Sequence, residues 1–293
     1  MHIPLVSYWF SKRQLLPTQT TFITLGDNTV FKRAYHERLR SFKKMLGHKK
    51  PRLKDIVCEV KNHLKTSTSS TDAVSFAYDK EYAGSEPHYS YLSPILLPIG
   101  FETITGYDPK KVSALKIHDV GAGSNEFLRF CYNELNISKS SLYGSDISQE
   151  SVAIIKRDGF SAYHGRLEQL HLPTNSFDLI FLSYFIDYDT DQVATFKSAI
   201  DLVRPGGKIV LEGWFPVRQF ALLPSDKSSF TFITKGKNKF EDTALIFNYV
   251  QGVCLAQGYT IELERVCEGT RYVYSRYGFQ KLPSWFLTLR IQK

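Results

Sequence analysis

The sequence predicts an α/β fold in which helices cover both faces of a mostly parallel sheet, with a helical region in front of it. The first observation is an apolar strand at 115–120 that runs into a turn with two glycines and then into a helix. The second is that apolar runs of strand length alternate with helical patterns from there onward. Such alternation is typical of parallel sheets whose strands are joined by helical crossovers.

The first quarter of the chain is basic and carries helical patterning. The net charge is +8, but residues 1–70 hold 14 Lys and Arg against 4 Asp and Glu, so the remainder is slightly acidic. Apolar side chains at helical spacing in 31–46 predict an amphipathic helix, and a second one begins at Pro51. A solvated helix face explains this charge better than a nucleic-acid footprint does. The polar run 66–72 is a linker candidate, so 1–72 is expected to be a separate helical region.

Residues 73–110 form an aromatic and polar segment before the predicted sheet. Flat side chains with polar tips suit a lid over a bound ligand. Packing of the N-terminal helices onto the sheet explains them equally well, because tyrosine serves both environments. The substrate-side candidates in this segment are Tyr78, Tyr82, His88 and Tyr91.

The glycine turn after the first core strand predicts a nucleotide cofactor. It brings bare backbone N–H groups and a helix N-terminus to one point. A dinucleotide fingerprint needs a third glycine where Glu126 stands, and Asp119 before the turn would repel a pyrophosphate but accept a hydrogen bond from a cationic amine. The second strand ends at Asp146, where a carboxylate can take two hydrogen bonds from a ribose diol. S-adenosylmethionine fits these features better than a dinucleotide.

The later core elements follow from the same patterns. A helix follows Thr190 and stops at 205–207, strand five covers 208–212, and a helix covers about 242–256. The last strands are expected at 259–266 and 285–291, with insertions at 215–240 and 268–283. Ligands of open α/β sheets lie beyond the carboxyl ends of the strands. Ser183 and Tyr184 after strand four, and Trp214 after strand five, are therefore substrate-side candidates.

From about Lys111 to Gln292 the chain resembles the class I S-adenosylmethionine-dependent methyltransferases. The motifs are Asp119-Val120-Gly121-Ala122-Gly123, the acidic strand end Asp146, the segments 165–170 and 177–180, and Arg204-Pro205-Gly206-Gly207-Lys208. The resemblance implies a seven-stranded Rossmann-like sheet, a catalytic domain over 111–293, and S-adenosylmethionine as cofactor. The implied cofactor-binding residues are Asp119, Gly121, Ala122, Gly123, Ser124, Asn125, Asp146, Ile147, Leu167, Glu168, Ser183 and Tyr184.

Two positions depart from the family pattern. The family usually carries a third glycine where Asn125 stands, and an acid that binds the adenine amino group where Arg166 stands. Asn125 is expected to act as a helix N-cap. The backbone at Leu167 is expected to meet the adenine edge, and Glu168 to replace part of the missing acid.

The predicted function is methyl transfer to a small aromatic or apolar acceptor. After strand four the chain has Ser183-Tyr184-Phe185-Ile186 instead of the Asn/Asp-Pro-Pro-aromatic tetrapeptide of amino-group nucleic-acid methyltransferases. Two alternatives stay open. Asn125 and Arg166 favour a cyclase or lyase that consumes S-adenosylmethionine and releases methylthioadenosine. The basic N-terminal helices favour a methyltransferase that docks RNA or a protein partner.

The remaining composition limits the class of protein. Four scattered cysteines predict neither a disulfide framework nor a metal site, and the apolar segment 89–101 is too short to span a bilayer. With no secretory signal pattern, a cytoplasmic protein is expected. The N-terminal helices cover either their own site or that of a neighbour in a homodimer. Methyl transfer needs no strong acid or base, so no catalytic residue is predicted. His88, His171, Asp187 and Tyr163 could serve as a base by type but are interpreted as structural residues, and His118 as a packed or edge residue of the first strand.

Overall fold

The computed structural model describes residues 22–24, 90–92, 97–183, 191–214, 221–222, 231–232, 250–252, 254–256, 258–275 and 278–292. The predicted N-terminal helices lie outside these residues, as do Tyr78, Tyr82, His88, Tyr184 and Asp187. For Tyr91 and Trp214 only the backbone is described.

Nine of the described strands form one sheet. The bounds are β1 Phe22–Thr24, β2 Ser90–Leu92, β3 Ile117–Val120, β4 Leu142–Asp146, β5 Ser161–His164, β6 Phe177–Ser183, β7 Val203–Trp214, β10 Thr260–Ser275 and β11 Gly278–Gln292, with β8 Ala221–Leu222 and β9 Thr231–Phe232 forming a separate pair. The order in the sheet is β1-β10-β11-β7-β6-β3-β4-β5, and β2 also pairs with β10. The strands from β5 to β7 are parallel, whereas β11 is antiparallel to both β7 and β10. The seven strands from β10 to β5 confirm the predicted mostly parallel sheet.

Four described helices begin where the sequence supplies a first-turn signal. The bounds are α1 Pro98–Thr105, α2 Glu126–Leu135, α3 Gln149–Arg157 and α4 Gln192–Leu202. Ser148 and Asp191 cap α3 and α4, because their side-chain oxygens accept hydrogen bonds from the backbone of Ser151 and Ala194. Asn136, in the left-handed region, ends α2. Residues 250–252 and 254–256 are also helical, within the predicted helix at 242–256.

The two faces of the sheet bury separate apolar clusters, which confirms helices on both sides. On one face, Phe101 of α1 and Leu128 of α2 pack with Phe181 and Val210 of the sheet. On the other, α4 and the helical residues near Val250 cover a cluster from β6, β7, β10 and β11. Side chains alternate between the faces along each strand.

The predicted insertion at 268–283 is wrong. Its residues continue β10 and β11 as a long antiparallel hairpin that remains paired as far as Ser275 and Gly278. Residues 270–274, Thr-Arg-Tyr-Val-Tyr, have high strand propensity, but charged neighbours obscured the pattern. Strand β7 also begins at Val203 instead of 208. The short strands β1 and β2, which pair with β10, were not predicted, because their sequences show no recognisable hydrophobic period.

A network of charged side chains lies near the amino ends of the parallel strands. Lys208 Nζ donates to the Thr105 carbonyl at 2.9 Å and lies 2.8 Å from Glu264 Oε2, while Arg290 pairs with the same carboxylate. This network anchors α1 to β7, β10 and β11. Among the described residues, no helix is long and apolar enough to cross a membrane.

Candidate functional site

The glycine turn after β3 is anchored to the neighbouring strand. The backbone N–H groups of Gly121 and Ala122 donate to the Ser145 carbonyl at 2.8 and 3.1 Å. Gly121, Gly123 and Asn125 have φ of 71°, 54° and 65°. Glycine adopts this left-handed conformation freely, and asparagine is among the side-chain-bearing residues that tolerate it best. The turn geometry therefore explains why asparagine can stand at a position where the resembled family carries glycine.

Asp146, at the end of β4, is held beside this turn by backbone groups. Gly123 N donates to Asp146 Oδ2 and Ser148 N donates to Asp146 Oδ1, both at 2.9 Å. Ser151 Oγ in turn donates to the Gly123 carbonyl at 2.6 Å. These two hydrogen bonds orient the Asp146 carboxylate, because each oxygen accepts from a different backbone group. Sequence reasoning missed Ser148 and Ser151, although a serine directly after a strand is a helix-start signal.

Asn125 stands at the N-cap of α2, but its side chain does not cap the helix. Its Nδ2 donates to Asp158 Oδ2 at 2.9 Å, and Arg129 Nε donates to the same oxygen at 2.7 Å. Burial alone would raise the pKa of Asp158, but the hydrogen bonds from Arg129 and Asn125 outweigh it and hold that pKa below its usual value. The expected side-chain cap is therefore wrong, and Asn125 instead ties α2 to the end of α3.

The side chains around the turn are buried. Asp119 and Ser124 are 3% and 2% exposed. Burial, with the nearby charge of Asp119, raises the pKa of the Cys131 thiol. His118 is fully buried, 3.0 Å from Ser145 Oγ, and its ring packs on Phe177. Burial lowers the pKa of His118 to about 3, so the imidazole is neutral at physiological pH, as a packed core residue should be.

The turn after β5 holds the expected adenine-side residues. Leu167 is buried and begins the short helical turn Leu167–Gln169. Arg166 Nε donates a hydrogen bond to Glu168 Oε1, so the charges of the two side chains offset each other. Among the described residues, the buried Glu168 Oε2 has no hydrogen-bond partner. Ile147 follows Asp146, and its carbonyl accepts a hydrogen bond from His164 Nε2 at 3.0 Å.

A second buried carboxylate lies at the end of β7. Ser183 Oγ donates to Glu212 Oε2 at 2.7 Å, and Glu212 is only 1% exposed. A Cβ placed on the next residue, Gly213, would lie 2.3 Å from Cζ2 of Trp285, so the indole ring occupies the space beside this strand end. Sequence reasoning did not single out Glu212. Its signal was an apolar strand that ends in a carboxylate, the same signal that identified Asp146.

Strand register brings the two carboxylates onto one edge. Ser183 of β6 is paired with Glu212 of β7. Leu182, the residue before Ser183, is paired with Val120 of β3. Val120 is also paired with Ser145, so the next residues, Gly121 and Asp146, continue the same line. Asp146, Gly121, Ser183 and Glu212, here called the edge row, follow the strand order β4, β3, β6, β7.

Two of the polar residues considered from the sequence lie apart from the edge row. The ring of Tyr163 stacks on Tyr143 with centroids 6.4 Å apart, next to the buried His118. His171 is an exposed residue beyond the turn after β5. Neither makes a hydrogen bond with a residue of the edge row in the described structure.

Comparison with known proteins shows that part of the chain matches a described protein family. Residues 118–211 match the family described as a methyltransferase domain. Methyltransferase gedG of Aspergillus terreus is 27% identical over 107 residues, which cover 35% of this chain and 32% of that protein. The chain thus spans about a third of the length of the curated relative it matches.

Solved structures of similar fold include two S-adenosylmethionine-dependent methyltransferases. The one from Mesorhizobium loti has 19% identity and a TM-score of 0.40, covering 61% of this chain and 92% of its own. The one from Methanosarcina mazei has 13% identity and a TM-score of 0.44, covering 66% and 96%. Residues 118–211, about a third of the chain, are thus similar to a methyltransferase domain.

Proposed function

We propose that this chain transfers the methyl group of S-adenosylmethionine to a small-molecule acceptor. The observation that carries the proposal is the edge row, because a fixed carboxylate and a glycine turn on β4 and β3 are followed by a hydroxyl and a second carboxylate on β6 and β7. The first pair suits the cofactor and the second pair suits the molecule that reacts with it. In this proposal 111–293 is the catalytic domain, 1–72 a separate basic region, and 73–110 the lid segment, except for α1, which packs on the sheet.

The residues of the cofactor half fit S-adenosylmethionine. Asp146 is oriented by two backbone N–H groups, and a carboxylate fixed at the end of β4 suits the ribose hydroxyls. Gly121 and Gly123 leave the turn without side chains, so that a ligand can approach the backbone closely. Glu168 Oε2 is a buried acceptor without a partner among the described residues, which fits the adenine amino group. Asp119 and Ser124 line the same turn.

Methyl transfer at the acceptor half does not require a strong general acid or base. The cofactor supplies a methyl group already activated on a sulfonium, and the protein mainly orients two reactants and excludes water. Ser183, partly buried, and Glu212, fully buried, supply polar atoms beside the glycine turn. The absence of the amino-group methyltransferase tetrapeptide after β6 and the slightly acidic composition outside 1–70 support a small acceptor over a nucleic acid.

The test separates acceptors by size. The full chain is incubated with S-adenosylmethionine alone, then with the fraction of a cell extract that passes a small-pore filter, then with the retained fraction before and after RNase treatment. Mass spectrometry follows the cofactor products. We expect S-adenosylhomocysteine only with the filtrate.

Each other product pattern contradicts the proposal in a recognisable way. Methylthioadenosine formed from the cofactor alone would indicate the cyclase or lyase reaction that Asn125 and Arg166 favour. S-adenosylhomocysteine formed only with the retained fraction, and lost after RNase treatment, would indicate the nucleic-acid reaction that the basic N-terminal region favours. A protein acceptor would resist RNase.

A further inference from the structure

Glu212 and Ser183 occupy one face of the sheet, immediately past the end of its core. Phe181 and Val210 belong to the buried cluster that α1 and α2 cover. Ser183 and Glu212 each lie two residues further along the same strands, so alternation places their side chains on the same face. Leu128 of α2 and Ile155 of α3 approach Gly144 on this face as well, and Asp146 lies two residues beyond Gly144. Asp146, Ser183 and Glu212 therefore present their side chains on one face of the sheet.

The hydrogen bond between Ser183 and Glu212 fixes the polarity of the serine hydroxyl. A carboxylate is an acceptor only, so the Ser183 proton points to Glu212 Oε2. The lone pairs of Ser183 Oγ then remain to accept a hydrogen bond from another group. Because Ser183 is partly exposed whereas Glu212 is buried, a ligand meets the serine oxygen first.

We infer that Ser183 is a hydrogen-bond acceptor for a protic nucleophile, a hydroxyl or amine group of the acceptor, and that Glu212 is the positioning residue that keeps Ser183 in this state. The inference rests on the proposed function and narrows its substrate class. As the nucleophile forms its bond to the methyl carbon and the carbon–sulfur bond breaks, its proton passes to Ser183 Oγ and the serine proton passes to Glu212. The negative charge of Glu212 and the positive charge of the sulfonium disappear together.

The test uses binding, and does not require the acceptor. Sinefungin carries a primary ammonium group where S-adenosylmethionine carries its S-methyl group, whereas S-adenosylhomocysteine carries nothing there. Calorimetry on the full chain gives the ratio of the two affinities. We expect Glu212→Gln and Ser183→Ala each to lower the preference for sinefungin over S-adenosylhomocysteine on the order of tenfold. Glu212→Asp should restore part of the preference.

Further variants show whether the two residues act as one unit. The double variant of Ser183→Ala and Glu212→Gln should lose no more than either single variant. Glu262→Gln makes the same chemical change at an exposed position of β10 and should leave the ratio unchanged.

Three results would overturn the inference. An unchanged ratio in Glu212→Gln would mean that Ser183 does not face the reacting centre. Equal losses of both ligands would mean that Glu212 only supports the fold. If the wild-type chain binds neither ligand, the proposed function fails first, and that result is distinct from the other two.

Discussion

The two halves of the edge row are built from different parts of the chain. In the cofactor half, Asp146 is held by the backbone of Gly123 and Ser148, and turn geometry decides where each atom lies. In the acceptor half, Glu212 is held by the side chain of Ser183, and Trp285 fills the space beside Gly213. Both halves therefore depend on which strands become neighbours, but backbone N–H groups hold the first carboxylate, whereas a side-chain hydroxyl holds the second.

The largest expected effect is on cofactor affinity. Asp146→Ala removes the acceptor of two ribose hydrogen bonds, each worth on the order of 1.5–3 kcal/mol. Calorimetry with S-adenosylhomocysteine should show affinity about 100-fold lower or worse. Asp146→Asn, which keeps one carbonyl acceptor, should lose less. Unchanged affinity in Asp146→Ala would show that β4 does not carry the ribose site.

A packing variant tests how β7 is held on the face opposite to Glu212. Gly213→Ala forces a methyl group against the ring of the buried Trp285, and overpacking of this kind lowers the free energy of unfolding by about 1–3 kcal/mol. The control is Gly206→Ala, where φ is +74° but no atom lies within 4 Å of the new methyl group. Strain alone should cost it about 1 kcal/mol. Urea unfolding of both variants measures the difference, and equal stability would contradict the packing described for Trp285.

The pH dependence of stability tests the burial of His118 in β3, the strand that leads into the glycine turn. His118 has a pKa of about 3 in the folded chain against 6.5 when unperturbed. Below pH 6.5 the unfolded chain therefore binds a proton that the folded chain does not. The free energy of unfolding contributed by this residue should fall as pH drops, by about 2 kcal/mol at pH 5.

The measurement is urea unfolding between pH 7 and pH 4. His118→Leu loses the contact with Ser145 but should flatten the pH dependence, whereas His171→Gln, at an exposed position, should not. A slope that persists in His118→Leu would show that other groups cause it.

The smallest expected effect concerns Asn125. Asn125→Gly keeps the left-handed backbone and loses only the bond to Asp158, at a cost of about 1 kcal/mol in the free energy of unfolding. Asn125→Ala loses the same bond and must also adopt φ near 65°, which adds about 1 kcal/mol. Thermal unfolding should therefore rank glycine above alanine at this position. The reverse order would contradict the turn geometry.

The cofactor half was predictable because its signals are local. Asp119-Val120-Gly121-Ala122-Gly123 and the end of β4 each identify themselves over a few residues. The bond from Asn125 to Asp158 joins residues 33 apart, and the bond from Ser183 to Glu212 joins residues 29 apart. Neither contact follows from a sequence pattern, because each depends on how helices and strands pack. The β10–β11 hairpin was missed because its outer half mixes charged residues with strand formers.

The most direct test of this arrangement is a crystal structure of the chain with bound S-adenosylhomocysteine. We expect both ribose hydroxyls about 3 Å from the Asp146 carboxylate, the amino-acid end against the turn at Gly121 and Gly123, and the sulfur on the side of Ser183. A ribose away from Asp146, or a sulfur that faces β5, would contradict the division of the edge row into cofactor and acceptor halves.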